Sequence, residues 1–167
     1  MSNEEGPTGS FREFVFRASV QSAGGMRKES AVNVESTTGQ VVMTYDIASD
    51  EGELLGGNNT APPPLAFFTS SIAFCLMTQI SRYAHMRKLD LTDVRMTTVV
   101  HYRNEGSVLR GDVVGLVESI ESTVEIDSNE SDETVQQLLE DAERGCYVHN
   151  ALVNPIQVNN RLVHNPS

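Results

Sequence analysis

The chain is poor in basic residues. Its 167 residues include 12 lysines and arginines against 23 aspartates and glutamates, which gives a formal charge of -11 at pH 7. A surface of this sign repels the phosphates of nucleic acids and of anionic membranes. The composition therefore excludes nucleic acid, argues against a membrane surface as a partner, and favours a small apolar or weakly polar ligand.

Cysteine is also scarce, with only Cys75 and Cys146 in the chain. In a reducing compartment two cysteines rarely form a permanent bridge, so a transient redox pair and two unrelated buried thiols both stay open. Cys146 and His149 are spaced as two ligands of one metal could be, but no third or fourth ligand is suggested by the sequence. The four histidines suggest no metal-ligand set, so the sequence predicts no metal and no cofactor; they are His85, His101, His149 and His164.

A leader and a long apolar run are missing as well. The first ten residues lack the basic and apolar segments of a signal peptide, which predicts a cytoplasmic protein. The uncharged stretch 56–81 contains Thr60 and three prolines and is too polar and too broken to span a bilayer. With 39% apolar residues the chain can bury a core, and we expect a disordered tail over 1–10 and a single domain over 11–167.

What the sequence does contain is regular apolar patterning. Alternation predicts strands over 14–20, 32–34 and 41–45 as a meander, with turns at 23–25 and 38–39. Two longer strands are expected over 94–102 and 113–126, with a hairpin turn at 104–107. A short amphipathic helix is capped by Ser131 and stopped by Gly145, and a last strand is expected over about 155–163. These elements predict an α+β protein.

The proline-led stretch predicts a helix that begins near Leu65. Its apolar residues occupy nearly every face of the helix, so the helix must be enclosed on all sides. One sheet of a small chain covers only one side, which predicts a partner subunit on the other. At helical spacing, Phe67, Phe68 and Phe74 are expected in the core or in a dimer interface rather than in a ligand pocket.

Cys75 falls in the middle of this helix. Burial raises the pKa of a thiol above its free value of about 8.5 and keeps it protonated. A reactive Cys75 therefore needs a cation nearby. Cys146 follows Gly145, where the short helix is expected to stop, and we expect it on a segment that can move.

Three stretches together resemble the OsmC/Ohr superfamily, and the resemblance spans about residues 14–163. They are Gly24-Gly25-Met26-Arg27, then Gly56-Gly57 with Ala73-Phe74-Cys75-Leu76, and then Ala142-Glu143-Arg144-Gly145-Cys146 followed by Asn150-Ala151-Leu152. The resemblance implies an OsmC-like fold in which two antiparallel sheets wrap around central buried helices in an intertwined homodimer.

The same resemblance implies a chemistry. In the hydroperoxide reductases of this superfamily the helix cysteine attacks the peroxide, becomes a sulfenic acid and is resolved by the second cysteine. By position, Cys75 would be the peroxidatic residue and Cys146 the resolving one. The substrate would be a small organic hydroperoxide, and a dithiol such as a lipoyl-bearing protein would recycle the disulfide. Arg27 would stabilise the thiolate, one residue out of the usual register, with Arg17 as the fallback.

The chain departs from the family pattern at two positions. The reductases carry a glutamate just after the helix-opening proline, where this chain has Leu65, so only Glu51 or Glu53 of the preceding loop could replace it. Tyr147 stands where a proline usually follows the second cysteine. These departures keep a second function open, a non-catalytic dimer that binds a small apolar ligand or senses oxidants.

Overall fold

The computed structural model describes residues 13–154 and 156–166. These residues form two compact units, one that ends at Ala66 and one that begins at Phe67. The single domain expected over 11–167 stays a prediction. The tail expected over 1–10 lies outside the described residues.

The N-terminal unit is built on an antiparallel meander. Its strands are β1 (Val15–Ser22), β2 (Lys28–Glu35) and β3 (Val41–Ser49), in the order β1-β2-β3. The first turn is formed by Gly24 and Gly25, with φ of 98° and 54°, values that favour glycine. The three predicted strands are confirmed.

A tight loop follows β3 and leads to the first helix. It contains a 3-10 turn, Glu53–Leu55, and folds so closely that a Cβ on Gly57 would lie 1.9 Å from the carbonyl oxygen of Glu51. Only glycine leaves room for this approach. The close contact gives a structural reason for the second glycine of the Gly56-Gly57 pair.

Helix α1 (Pro64–Arg87) starts where the proline run predicted it. Its inward stripe consists of Ile72, Leu76, Gln79, Ile80 and Ala84. By length and composition alone α1 is apolar enough to cross a bilayer, a property that it shares with core helices of soluble proteins. The stripe shows that one side of the helix is covered by the chain itself.

The C-terminal unit contains a long antiparallel hairpin, β4 (Leu91–Glu105) and β5 (Val114–Ser128). The turn predicted at 104–107 is wrong, because Glu105 still pairs with Val114 and the connection runs over 106–113. Asp112 closes this wider loop by accepting hydrogen bonds from Ser107 N at 2.6 Å and Arg110 Nε at 2.9 Å. This carboxylate and a 3-10 turn, Val108–Arg110, together close the hairpin.

Two helices complete this unit, α2 (Asp132–Gly145) and α3 (Tyr147–Val153). Ser131 caps α2 as predicted, since its hydroxyl accepts from Thr134 N at 3.2 Å. Helix α3 was not predicted. The strand expected over 155–163 is wrong for the residues that can be judged, since 156–166 contain no strand.

Helices α1 and α2 pack on one face of the β4–β5 hairpin. The buried cluster combines Leu76, Ile80 and Ala84 of α1 with Leu138 and Ala142 of α2, and with Cys146. Half-buried residues of the hairpin form the floor of this core; they include Val94, Met96, Val124 and Ile126. A helical layer on a two-stranded layer therefore positions the second cysteine.

Candidate active site

Cys75 lies on α1 at the edge of the buried stripe. It follows Ile72 by three residues and precedes Gln79 by four, so it shares their side of the helix. The thiol is half-buried and reduced. Cys75 therefore remains reachable from solvent while packing against the core.

Cys146 is the junction between α2 and α3. Its backbone N–H donates to Glu143 O at 3.1 Å and ends α2, while its sulfur accepts from His149 N at 3.4 Å and caps α3. The residue is only 1% exposed. Cys146 thus lies between two helix ends rather than in an extended segment, and the expectation that this segment can move stays a prediction.

Asn150 reinforces this junction. Its side-chain amide donates to the carbonyl oxygens of Glu143, Arg144 and Cys146 at 3.1, 3.0 and 2.8 Å. Two of these carbonyls also accept a backbone N–H, Glu143 O from Cys146 and Cys146 O from Asn150, so the amide adds a second bond to each. From sequence, Asn150 was only part of a motif. Its hydrogen bonds to these carbonyls were not predicted, because they depend on α3, which was not predicted either.

The two thiols are neighbours. Cys75 packs against the buried cluster that contains Cys146. Burial raises the pKa of the Cys146 thiol, and the contact with Cys75 raises it further. The structure thus brings together the two cysteines that the sequence singled out and keeps Cys146 protonated.

Gly145 allows α1 and α2 to approach closely beside this pair. A Cβ at Gly145 would lie 2.9 Å from the hydroxyl of Tyr83 and 3.4 Å from Oε1 of Gln79. Its φ is not positive, unlike that of a left-handed helix stop. Helix α2 does end at Gly145 as predicted, and a side chain at this position would force Tyr83 to shift.

An ionic network fastens the same two helices further along. Arg87 of α1 and Arg144 of α2 both pair with Asp141, and Gln137 donates to that carboxylate at 3.1 Å. The Arg87 guanidinium also lies 5.7 Å from the centre of the Tyr83 ring. The position of Cys146 relative to Cys75 is therefore set by packing and by charge.

Arg27 lies in the N-terminal unit. Its Nε donates to Glu29 at 3.3 Å and its Nη1 donates to the Thr60 hydroxyl at 2.9 Å. Within the described residues these are the partners of its guanidinium, and Glu51 and Glu53 are not among them. Arg27 also lines a cavity of about 480 Å³ on the meander, together with Glu29 and Asp46.

Arg17, the fallback cation, is already engaged in an ion pair. Its guanidinium binds Glu35 with two hydrogen bonds of 2.7 and 3.1 Å. The hydrogen bond to Glu35 raises the pKa of Arg17, and the same bond lowers the pKa of Glu35. Arg17 is thus bound twice by one carboxylate, whereas Arg27 has one bond to Glu29 and one to Thr60.

A second cavity, of about 450 Å³, lies in the C-terminal unit. Its wall on α1 is formed by Ile72 and Leu76, the residues three before and one after Cys75. Glu143 and His149 add polar groups. Of the three phenylalanines considered from sequence, Phe68 packs edge-on against Tyr102 with ring centres 6.5 Å apart, while Phe74 is 70% exposed.

No group of three or more histidine, cysteine or acidic side chains suited to a metal occurs in the described part of the chain. The spacing of Cys146 and His149 has another explanation. It places the His149 backbone N–H, not the imidazole, on the sulfur. The contact is a helix cap.

We expect an alkylating reagent to label Cys75 of the native protein at least about tenfold faster than Cys146. Cys146 is buried and its thiol pKa is raised, so both access and thiolate fraction are low. Timed labelling with iodoacetamide and peptide mass spectrometry measures both rates. In denaturant the two should react alike, and faster native labelling of Cys146 would contradict the described junction.

Solved structures of known proteins share this fold. The OsmC-like hydroperoxide resistance protein of Jannaschia sp. CCS1 is 27% identical, with a TM-score of 0.58 over 92% of this chain and 95% of that one. The organic hydroperoxide resistance protein OsmC of Legionella pneumophila is 21% identical, with a TM-score of 0.54 over 84% and 90%. The OsmC-like protein of Mycoplasma pneumoniae is 18% identical, with a TM-score of 0.55 over 93% and 99%. These likenesses confirm an α+β fold with antiparallel sheets.

No curated protein matches the chain. The family model described as OsmC-like protein matches residues 56–161, more than half of the sequence. That region holds both cysteines and the helices that position them. The chain therefore belongs to the OsmC-like protein family.

Proposed function

We propose that this protein is a thiol peroxidase that reduces small organic hydroperoxides through Cys75 and Cys146. The observation that carries the proposal is that two reduced thiols meet in one core: the half-buried Cys75 packs against the buried cluster to which the enclosed Cys146 belongs. A half-buried thiol can meet a substrate, and an enclosed neighbour can trap the product. The likeness to the OsmC-like hydroperoxide resistance protein of Jannaschia supports a role for this chain against hydroperoxides.

In the first step the Cys75 thiolate attacks the peroxide O–O bond. A sulfur–oxygen bond forms, the O–O bond breaks, and the alkoxide leaves as the alcohol after it takes up a proton. The thiolate is oxidised by two electrons to a sulfenic acid, and the hydroperoxide is reduced. Arg27 serves as the cation that favours the thiolate.

In the second step Cys146 attacks the Cys75 sulfenic acid. A disulfide forms and water leaves, carrying the sulfenic oxygen and the Cys146 proton. The packing of Cys75 against the cluster that contains Cys146 supports this step, because no long movement is required. An external dithiol, such as a lipoyl-bearing protein, then reduces the disulfide by thiol–disulfide exchange.

The exposed apolar surface supports an intertwined homodimer as the working form. Phe74 of α1 is 70% exposed, and Phe16 and Val42 of the meander are each 61% exposed. Side chains of this size favour burial, and a second copy of the chain would supply it. We place the dimer in the cytoplasm, where dithiol reductants are available.

The cavity beside α1 supports an apolar substrate tail. Ile72 and Leu76 flank Cys75 in sequence and line this space of about 450 Å³. An alkyl or aryl group bound there would gain by leaving water. Hydrogen peroxide has no such group and should be the poorer substrate.

The test is to mix the reduced protein with one equivalent of cumene hydroperoxide and count thiols over seconds to minutes. We expect both thiols to be lost together, with one equivalent of cumyl alcohol formed. A matched reaction with hydrogen peroxide should be slower. Survival of both thiols in millimolar peroxide would overturn the proposal and favour the ligand-binding dimer.

A further inference from the structure

Asp50 is a buried carboxylate with a dense set of donors around it. It is 1% exposed and accepts from the backbone N–H groups of Glu51, Asn58 and Thr60 at 2.9, 3.2 and 3.1 Å. The Thr60 hydroxyl donates to it as well, at 2.8 Å. The bonds from Thr60, first the backbone N–H and then the hydroxyl, hold the pKa of Asp50 below its usual range. Asp50 is therefore ionised and fixes the loop around it.

Thr60 connects this carboxylate to Arg27. A hydroxyl has one proton and two lone pairs. The Thr60 proton points to Asp50, so the oxygen can only accept from Arg27 Nη1, which lies 2.9 Å away. The negative charge behind the hydroxyl strengthens this acceptor. The geometry leaves the threonine one orientation, and that orientation holds the guanidinium.

The second partner of Arg27 holds it less firmly. The bond to Glu29 is 3.3 Å long, and the Glu29 side chain is half exposed. Ion pairs of this kind in water fix a side chain poorly. Thr60, in contrast, is bound to Asp50 through both its hydroxyl and its backbone N–H.

We propose that Asp50, acting through the Thr60 hydroxyl, positions Arg27 in place of the glutamate that the family carries after its helix-opening proline. The inference rests on the proposed function, in which Arg27 favours the Cys75 thiolate. Asp50 and Thr60 are positioning residues and do not touch the substrate. Leu65 stands where the family has its orienting glutamate, but the Asp50 carboxylate can support the arginine through Thr60 instead.

The experiment compares Thr60→Val, Thr60→Ser and Arg27→Ala in the full-length protein. The readout is the pH profile of Cys75 alkylation by iodoacetamide, with the labelled site identified by mass spectrometry. Arg27→Ala should move the profile up by about one pH unit, because the thiolate loses a cation. Thr60→Val should move it in the same direction by most of that amount, and Thr60→Ser should restore the wild-type profile.

Thr44→Val is the matched control. It removes a threonine hydroxyl of the same unit, one that donates to Asn33 at 2.8 Å and has no part in the network. Its profile should stay unchanged. A shift as large as that of Thr60→Val, or a failure of Thr60→Ser to restore the profile, would overturn the inference.

The outcomes separate the inference from the function on which it rests. If Arg27→Ala shifts the profile and Thr60→Val does not, the positioning role is wrong and the peroxidase proposal stands. If Arg27→Ala does not shift the profile, Arg27 does not favour the Cys75 thiolate. The positioning roles of Asp50 and Thr60 are then wrong as well. Loss of cumene hydroperoxide turnover tests the peroxidase separately, through thiol counts.

A measurement on the unsubstituted protein keeps the inference testable if Thr60→Val fails to fold. Side-chain NMR of Arg27, assigned by comparison with Arg27→Lys, reports rotation about its Cζ–Nη1 bond. Slow rotation is expected because Nη1 is held by Thr60. Fast rotation, as in a solvated arginine, would overturn the proposal.

Discussion

Replacement of Cys75 by serine is expected to make the protein inert toward cumene hydroperoxide. A serine hydroxyl does not ionise near neutral pH, so the nucleophile that we propose for attack on the O–O bond is lost. Cys146 cannot take its place, because it is 1% exposed and burial raises its thiol pKa. Alcohol formation should fall to the rate of the uncatalysed reaction, and the Cys146 thiol should survive the treatment.

Cys146→Ser separates the two steps. The first oxidation should continue, but the Cys75 sulfenic acid should persist and react with dimedone. Excess peroxide should then add a second oxygen and produce the sulfinic acid, which intact-mass spectrometry detects. Serine also caps helices well, so α3 should remain and circular dichroism should match the wild type. Equal activity of the two serine variants would contradict the assigned roles.

The largest stability effect is expected from Leu138→Ala. Leu138 lies on α2, is 0% exposed and belongs to the same buried cluster as Cys146. Truncation of an enclosed leucine removes apolar burial and leaves a cavity, at a cost of about 3 kcal/mol. The midpoint of thermal unfolding should fall by roughly 10 °C for a chain of this length.

Leu109→Ala is its matched control. Leu109 has the same side chain but is 99% exposed in the connection between β4 and β5. Its truncation should change the free energy of unfolding by less than about 0.5 kcal/mol. Urea unfolding of both variants measures the difference. If the two cost the same, the buried cluster is not where the structure places it.

Sequence patterns predicted the helices and strands whose signals lie within a few neighbouring residues. The meander was visible because apolar residues alternate in each strand, and α1 was visible because Pro64 pre-sets its first turn. Ser131 marked the start of α2 by its own chemistry. In these cases the information lies within a few residues of the element that it determines.

The misses depend on side chains that act over a longer distance. Helix α3 forms after Cys146 because a sulfur caps it and Asn150 clamps the preceding carbonyls, and neither signal belongs to the usual capping residues. The wide connection at 106–113 depends on Asp112. For the candidate site, the two cysteines were predicted from sequence, but Thr60 was not, since its role requires Asp50 ten residues earlier.

The sulfur of Cys146 is also the acceptor at the first turn of α3. A disulfide at Cys146 would turn the lone pairs of the sulfur to a new direction. The hydrogen bond from the His149 N–H would then weaken whenever the thiol is oxidised. Tyr147, on the same turn, is 64% exposed. Oxidation of an enclosed sulfur would thereby alter a helical turn that carries a side chain exposed at the surface.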